Sequence, residues 1–220
     1  MFSEEQAPIM NTAETVLFVF LGWLLGILSP IIVDAIRKKQ DIRDVRAALE
    51  TEVHELQYRL ACVAYFIEKR FGDVNRKFLE WLRPILVSYR GLNPSADILK
   101  FIETQLALTD DQIKALALHS KAAPEGGISL KKYQVPLLDS KISSLASLST
   151  SLQNHLLELK THLSLLNEEV DEARYYFRLT FQSSVTGENH DRVNENLTSC
   201  YKKYGARARQ VADLIRNIHL

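Results

Sequence analysis

Six histidines and two cysteines are the residues of this chain best equipped for acid–base, nucleophilic or metal chemistry. The histidines are His54, His119, His155, His162, His190 and His219. His155 and His162 stand seven apart and so share a helix face, but metal-binding pairs on a helix stand three or four apart. Cys62 and Cys200 lie far apart in the chain, and no C-x-x-C or other metal-ligand spacing surrounds them. His54 follows Glu50 by one turn and precedes Glu55, a neighbourhood that charge-rich helices produce by chance. His190 sits in Gly187-Glu188-Asn189-His190-Asp191-Arg192, a polar junction between two expected long helices. If the chain were an enzyme, Glu188–Arg192 is where acid–base work would fit best. All-α ribonucleases use an Arg and a His close together on one helix. Arg192 has no such histidine within the next turn or two, and Arg216-Asn217-Ile218-His219 lies where the chain end frays. No Gly-rich phosphate loop, G-x-S-x-G or H-E-x-x-H occurs. The expectation is a non-enzyme with no catalytic, cofactor-binding or metal-ligating residue and no cofactor.

The element that organises the rest is Thr15 to Val33, TVLFVFLGWLLGILSPIIV, which contains no charge. As a helix it is about 28 Å long, close to the ~30 Å hydrocarbon core of a bilayer. A cleaved signal peptide would need a basic start and a small-residue cleavage site, whereas Glu4, Glu5 and Glu14 precede this run without any Lys or Arg. Arg37, Lys38, Lys39, Arg43 and Arg46 follow it. The positive-inside rule then puts residues 1–14 outside as a short tail and residues 34–220 in the cytoplasm, behind a single span over 15–33. Within the span, Gly22 and Gly26 form a G-x-x-x-G with Ser29 near the same face, where a second helix backbone can approach closely. Pro30 removes an N–H and leaves the Gly26 carbonyl without its usual partner, so a kink is expected there.

Composition sets the class of the remainder. The first 33 residues hold three of the 27 acids and none of the 27 bases, so the rest carries a net +3, too weak to argue for nucleic acid. The basic excess sits beside the span, where anionic lipid is the simpler partner. Glycine and proline, 8 and 6 in number, cluster at breaks, leucine is abundant, and no β-branched alternation occurs. An all-α fold follows: one transmembrane helix and a cytoplasmic antiparallel bundle of long coiled-coil-like helices with short helices in the middle.

Long helices are expected over 34–71, 136–181 and 189–218, and shorter ones over 74–90, 94–107 and 110–121. Ile42, Val45, Leu49, Val53, Leu56, Leu60, Val63 and Ile67 stripe the first, and Gly72 ends it. Pro84 should kink or split the second. Asn93 and Pro94 suit a helix start, and Thr109 with Gln112 fits a capping box. Residues 123–135, with Pro124, Gly126 and Gly127, read as a loop carrying Lys131, Lys132 and Tyr133. From Leu138 through Leu152, Leu159 and Leu166 to Thr180, apolar positions alternate four and three, with Leu148, Leu157 and Leu165 widening the stripe. Ser140, Ser143, Ser144, Ser147, Ser149 and Ser151 weaken its first turns, and Gly187 ends it. Val193, Leu197, Cys200, Tyr204 and Val211 stripe the last helix, which Gly205 interrupts as a close crossing or bend.

These elements point to a membrane-anchored protein that mediates protein–protein contact and self-assembly at the cytoplasmic face. Its partners would be the bilayer, a second copy of itself through Gly22, Gly26 and Ser29, and an unidentified protein. The alternative is an effector that perturbs the bilayer through oligomerised anchors, as in stress or phage defence. A membrane-tethered hydrolase or nuclease fits least.

Overall fold

A computed structural model describes residues 12–91, 96–122, 128–140 and 148–218. Among these the protein is all-helical, with seven helices and no strand. They are α1 (Thr12–Phe71), α2 (Arg76–Ser88), α3 (Ala96–Leu106), α4 (Asp110–His119), α5 (Pro136–Ser140), α6 (Thr150–Leu179) and α7 (Glu188–Arg216). The chain divides into two compact units, Met1–Val45 and Arg46–Leu220.

The first unit is the N-terminal part of α1. Val16, Phe18, Val19, Leu25 and Ile31 are each more than 60 % exposed, the reverse of what apolar side chains do in water. Among the described residues, α1 is the one helix long and apolar enough to cross a membrane, and none of its apolar window is buried. Pro30 falls inside α1, whose helical bounds run through it.

The second unit holds the core. The α1 stripe is fully buried from Leu49, through Val53, Leu56 and Leu60, to Ile67, while Ile42 and Val45 are half-buried and Val63 gives its place to Ala64 and Tyr65. Gly72, with φ 74°, takes the left-handed conformation that stops α1 after Phe71. Asn75 then caps α2, accepting from the Phe78 N–H at 3.0 Å. Phe78, Trp81, Leu82 and Ile85 form the buried face of α2. Pro84 neither splits nor shortens this helix: Pro84 and Glu80 are both exposed, so the carbonyl that loses its partner is on the wet side. The capping box of α4 is present, with Gln112 N–H donating to Thr109 Oγ1 and Thr109 N–H to Gln112 Oε1. Arg76 ties the start of α2 to the end of α3, donating to the carbonyls of Leu106 and Leu108. Asn93 and Pro94 lie outside the described residues.

The single helix expected over 136–181 is instead two. α5 is one short turn, and α6 begins at Thr150, where the Ser149 side chain accepts from the Leu152 N–H. Ser140 and Ser149 supply the physical reason: Ser140 Oγ donates to the Leu137 carbonyl at 2.9 Å, and Ser149 caps α6. Their hydroxyls compete for nearby backbone groups, which favours caps over helix interiors. The start of α5 is held from elsewhere: Glu52 accepts the Leu137 and Leu138 N–H groups on its two oxygens, at 2.8 and 2.9 Å. Leu138 is nevertheless fully buried, so its place in the apolar pattern foretold burial but not helix continuity. Ile142, Leu145, Ser143, Ser144 and Ser147 lie outside the described residues.

Along α6 the stripe Leu152, Leu156, Leu159, Leu163, Leu166, Val170 and Ala173 is buried and packs with α7. Leu157 does not widen it, being half exposed, and Phe177 is already exposed as the helix ends. That end comes at Leu179, eight residues before Gly187, which instead stands at the entry to α7 with φ 55°. On α7, Val193, Leu197, Cys200, Tyr204, Val211 and Ile215 are buried. Gly205 is a close crossing rather than a bend. A Cβ there would lie 2.7 Å from Ile67 Cγ2, so only glycine lets α7 approach α1 this closely. Gln57 crosses the same interface, donating to the Ala212 carbonyl at 2.9 Å.

Candidate functional site

The oligomerisation face expected from sequence lies on the first unit. Gly22, Gly26 and Ser29 are exposed, and a Cβ built at either glycine would meet no atom within 4 Å. The basic residues Arg37, Lys38, Lys39, Arg43 and Arg46 are exposed on the same helix. Such a surface can do two things without chemistry: offer backbone to another helix in an apolar medium, and meet anionic headgroups with its cations.

The junction before α7 gives its groups to local pairs. Arg192 donates to Glu188 at 2.6 Å, one turn away, and His190 Nδ1 lies 3.1 Å from Asn194 Nδ2. Both members of the ion pair are mostly exposed.

Residues 128–135 are not a free surface loop. Asn167 clasps the backbone of Tyr133 twice, accepting its N–H at 2.9 Å and donating to its carbonyl at 2.7 Å. Tyr204 Oη donates to the Lys131 carbonyl at 2.6 Å, and Lys132 pairs with Asp171. Leu130 and Val135 are buried. The segment is a strap that closes over α6 and α7, and burial pushes the hydroxyls of Tyr133 and Tyr204 up from their ordinary pKa. Pro124, Gly126 and Gly127 lie outside the described residues.

Two groupings are visible only in three dimensions. A cleft of about 440 Å³ opens between α1, α2 and α7, lined among others by Glu50, His54, Ser88 and Arg216. It brings an arginine and a histidine together from separate helices, the pair that sequence places only as Arg216 and His219 on one. Arg216 is occupied, donating to the Trp81 carbonyl at 3.3 Å and lying 3.9 Å from Asp213. His54 is exposed and has no hydrogen-bond partner among the described residues, so nothing orients its ring as a general base requires. His219 lies outside the described residues.

The second grouping is Glu169 and Glu172 on α6 with Cys200 on α7, one ligand atom of each lying within 4.8 Å of the others. Sequence spacing missed it because its third member comes from the next helix, 28 residues on. Glu169 is 5 % exposed. Its Oε1 accepts from Arg207 Nε at 2.8 Å, while Oε2 is buried without a partner. Burial, then the charges of Glu172 and Glu169, push the Cys200 thiol up to about 11. Cys62 is also pushed up to about 11 by burial, and both cysteines are free thiols.

No protein-family model, curated protein or solved structure matches this chain.

Proposed function

We propose that this chain is a single-pass membrane protein whose helical domain acts at the cytoplasmic face as a module for protein–protein contact, its own self-assembly included. The observation that carries the reading is the charge-free run over 15–33, exposed along its length and followed within a few turns by five cations. A run this apolar is stable uncovered only in a bilayer. The Lys and Arg on one flank and the acids on the other orient it with the C-terminal domain inside.

The domain behind it is read as an antiparallel bundle. In support, Arg207 of α7 pairs with Glu169 of α6 while Cys200, earlier on α7, neighbours Glu172, later on α6. Gly22, Gly26 and Ser29 are the contact surface between copies, the bilayer is the first partner, and the protein partner is unidentified. Nucleic acid is not among the partners proposed.

Crosslinking of the full-length protein in mild detergent tests the assembly. Dimers or higher species are expected, and the pair Gly22→Ile and Gly26→Ile should weaken them by blocking close backbone approach. Equal monomer fractions in the wild type, the variant and a fragment from Gln40 onward would refute it. Cysteine labelling tests the topology: a label at Ser3 should be reached from outside and one at Leu220 only after permeabilisation.

A further inference from the structure

We propose that Glu169, Glu172 and Cys200 form a binding site for a divalent transition-metal ion of the zinc type, held between α6 and α7.

Helix geometry supplies two of the three groups. Glu169 and Glu172 stand three apart and so project from neighbouring positions on one side of α6. Cys200 belongs to the buried stripe of α7 and is 1 % exposed. The mutual reach of 4.8 Å is close to what a metal needs. At metal–oxygen distances of about 2.0–2.2 Å and metal–sulfur of about 2.3 Å, ligand atoms at tetrahedral corners stand roughly 3.5 Å apart. Glu172 is exposed, so its side chain can turn toward the other two groups without moving either helix.

The independent sign of a missing ligand is Glu169 itself. Glutamate is among the residues least often fully buried. Here one oxygen is satisfied by Arg207, and the other is sealed from solvent with no donor in reach. A buried acceptor in that condition is unfavourable unless something else meets it. Immediately beside it stand a second carboxylate and a thiol, a donor set that one cation can bridge.

The charges are also compatible. Two carboxylates and a thiolate bring three negative charges, and a divalent ion, the Arg207 guanidinium and the nearby Lys203 ammonium supply the positive ones. Arg207 therefore neutralises the site from outside the ligand set instead of competing for it. Binding displaces the thiol proton to solvent, since the thiolate is the ligand form. A borderline-soft ion accepts this mixture of one sulfur and two oxygens, whereas calcium and magnesium want oxygen alone. Three protein ligands leave a fourth position for water, which makes the site open in the manner of metal sites that do more than brace a fold.

Cobalt(II) is the probe, because a cobalt–thiolate bond announces itself by a charge-transfer band in the near ultraviolet. Full-length protein in mild detergent should take up one cobalt per chain with that band, and zinc should displace it. Cys200→Ser should abolish the band, and Cys62→Ser should leave it intact. Glu172→Ala changes an exposed residue and so tests the site without risk to the fold. Its affinity for zinc should drop by at least the roughly 10–100-fold that even an indirect partner of a ligand contributes. Circular dichroism of each variant separates lost binding from lost structure. The proposal is overturned if a well-folded wild type binds no cobalt, if the band survives Cys200→Ser, or if Glu172→Ala binds zinc as tightly as wild type.

Discussion

The crossing of α1 and α7 at Gly205 offers a quantitative test of the packing. In a helix interior, replacing glycine by alanine should stabilise by about 1 kcal/mol through propensity alone. At Gly205 the new methyl would lie 2.7 Å from Ile67 Cγ2 and 3.1 Å from Ile67 Cβ. Ile67 is buried and branched at Cβ, so its side chain has little room to turn away. Overpacking of this kind costs roughly 1–3 kcal/mol. Gly205→Ala should therefore be neutral to destabilising by about 2 kcal/mol, the opposite of the helix rule. Ile67→Ala alone should cost roughly 2–5 kcal/mol as a cavity. In the double variant the methyl introduced by Gly205→Ala enters the space that Cγ2 vacates: the 2.7 Å overlap is gone, only the tight 3.1 Å approach to the Cβ that alanine retains is left, and most of the propensity gain is recovered. The pair should then be more stable than the sum of the singles by about 1–3 kcal/mol. Urea unfolding of the Gln40–Leu220 fragment, followed by circular dichroism, measures all four corners of the cycle. Additivity within about 0.5 kcal/mol, or a Gly205→Ala variant stabilised by the full propensity term, would mean that α1 and α7 do not meet here.

Three further outcomes follow from the same core. Leu159→Asp puts a charge into a fully buried stripe without a partner and should destabilise the fragment by several kcal/mol, about 3 or more, in the same urea titration. Glu52→Ala removes the carboxylate that accepts both N–H groups at the start of α5; it should cost about 1.5–3 kcal/mol and raise hydrogen exchange at Leu137 and Leu138 above that of α6, whereas unchanged exchange would deny Glu52 its capping role. In the metal-free protein the thiols give a pH dependence: Cys62 and Cys200 hold their protons to about 11 when folded but release them near 8.5 when unfolded. Their contribution to stability is thus fully present below pH ~8.5 and lost as pH rises toward about 11, so the urea midpoint should fall over that window. Cys62→Ser with Cys200→Ser should flatten that fall.

How much of this was legible beforehand differs from element to element. The charge-free run over 15–33 needs no neighbours to be read, because length and apolarity are properties of the segment itself. The same holds for the Thr109–Gln112 capping box and for the stop at Gly72, which depend on residues within one turn. The stripes of α1, α6 and α7 foretold which leucines are buried because helical periodicity carries that information. Beyond Val211, packing buries Ile215 and leaves Leu214 half-buried. The break between α5 and α6 is not legible in the sequence for a definite reason. A four–three alternation reports which side chains reach the core, and Leu138 reaches it from a separate short helix whose start is held by Glu52, 85 residues earlier. Lys131, Lys132 and Tyr133 read as a solvated loop because no local signal says that Asn167 and Tyr204 will clasp their backbone. The cleft with His54 and Arg216, and the cluster of Glu169, Glu172 and Cys200, have the same origin. Their members lie on different helices, so no spacing in the chain records them. What a segment does within its own turns is written in its sequence. Which groups share a buried space depends on how helices cross, and that was decided at positions such as Gly205, where the absence of one methyl sets the distance between two helices.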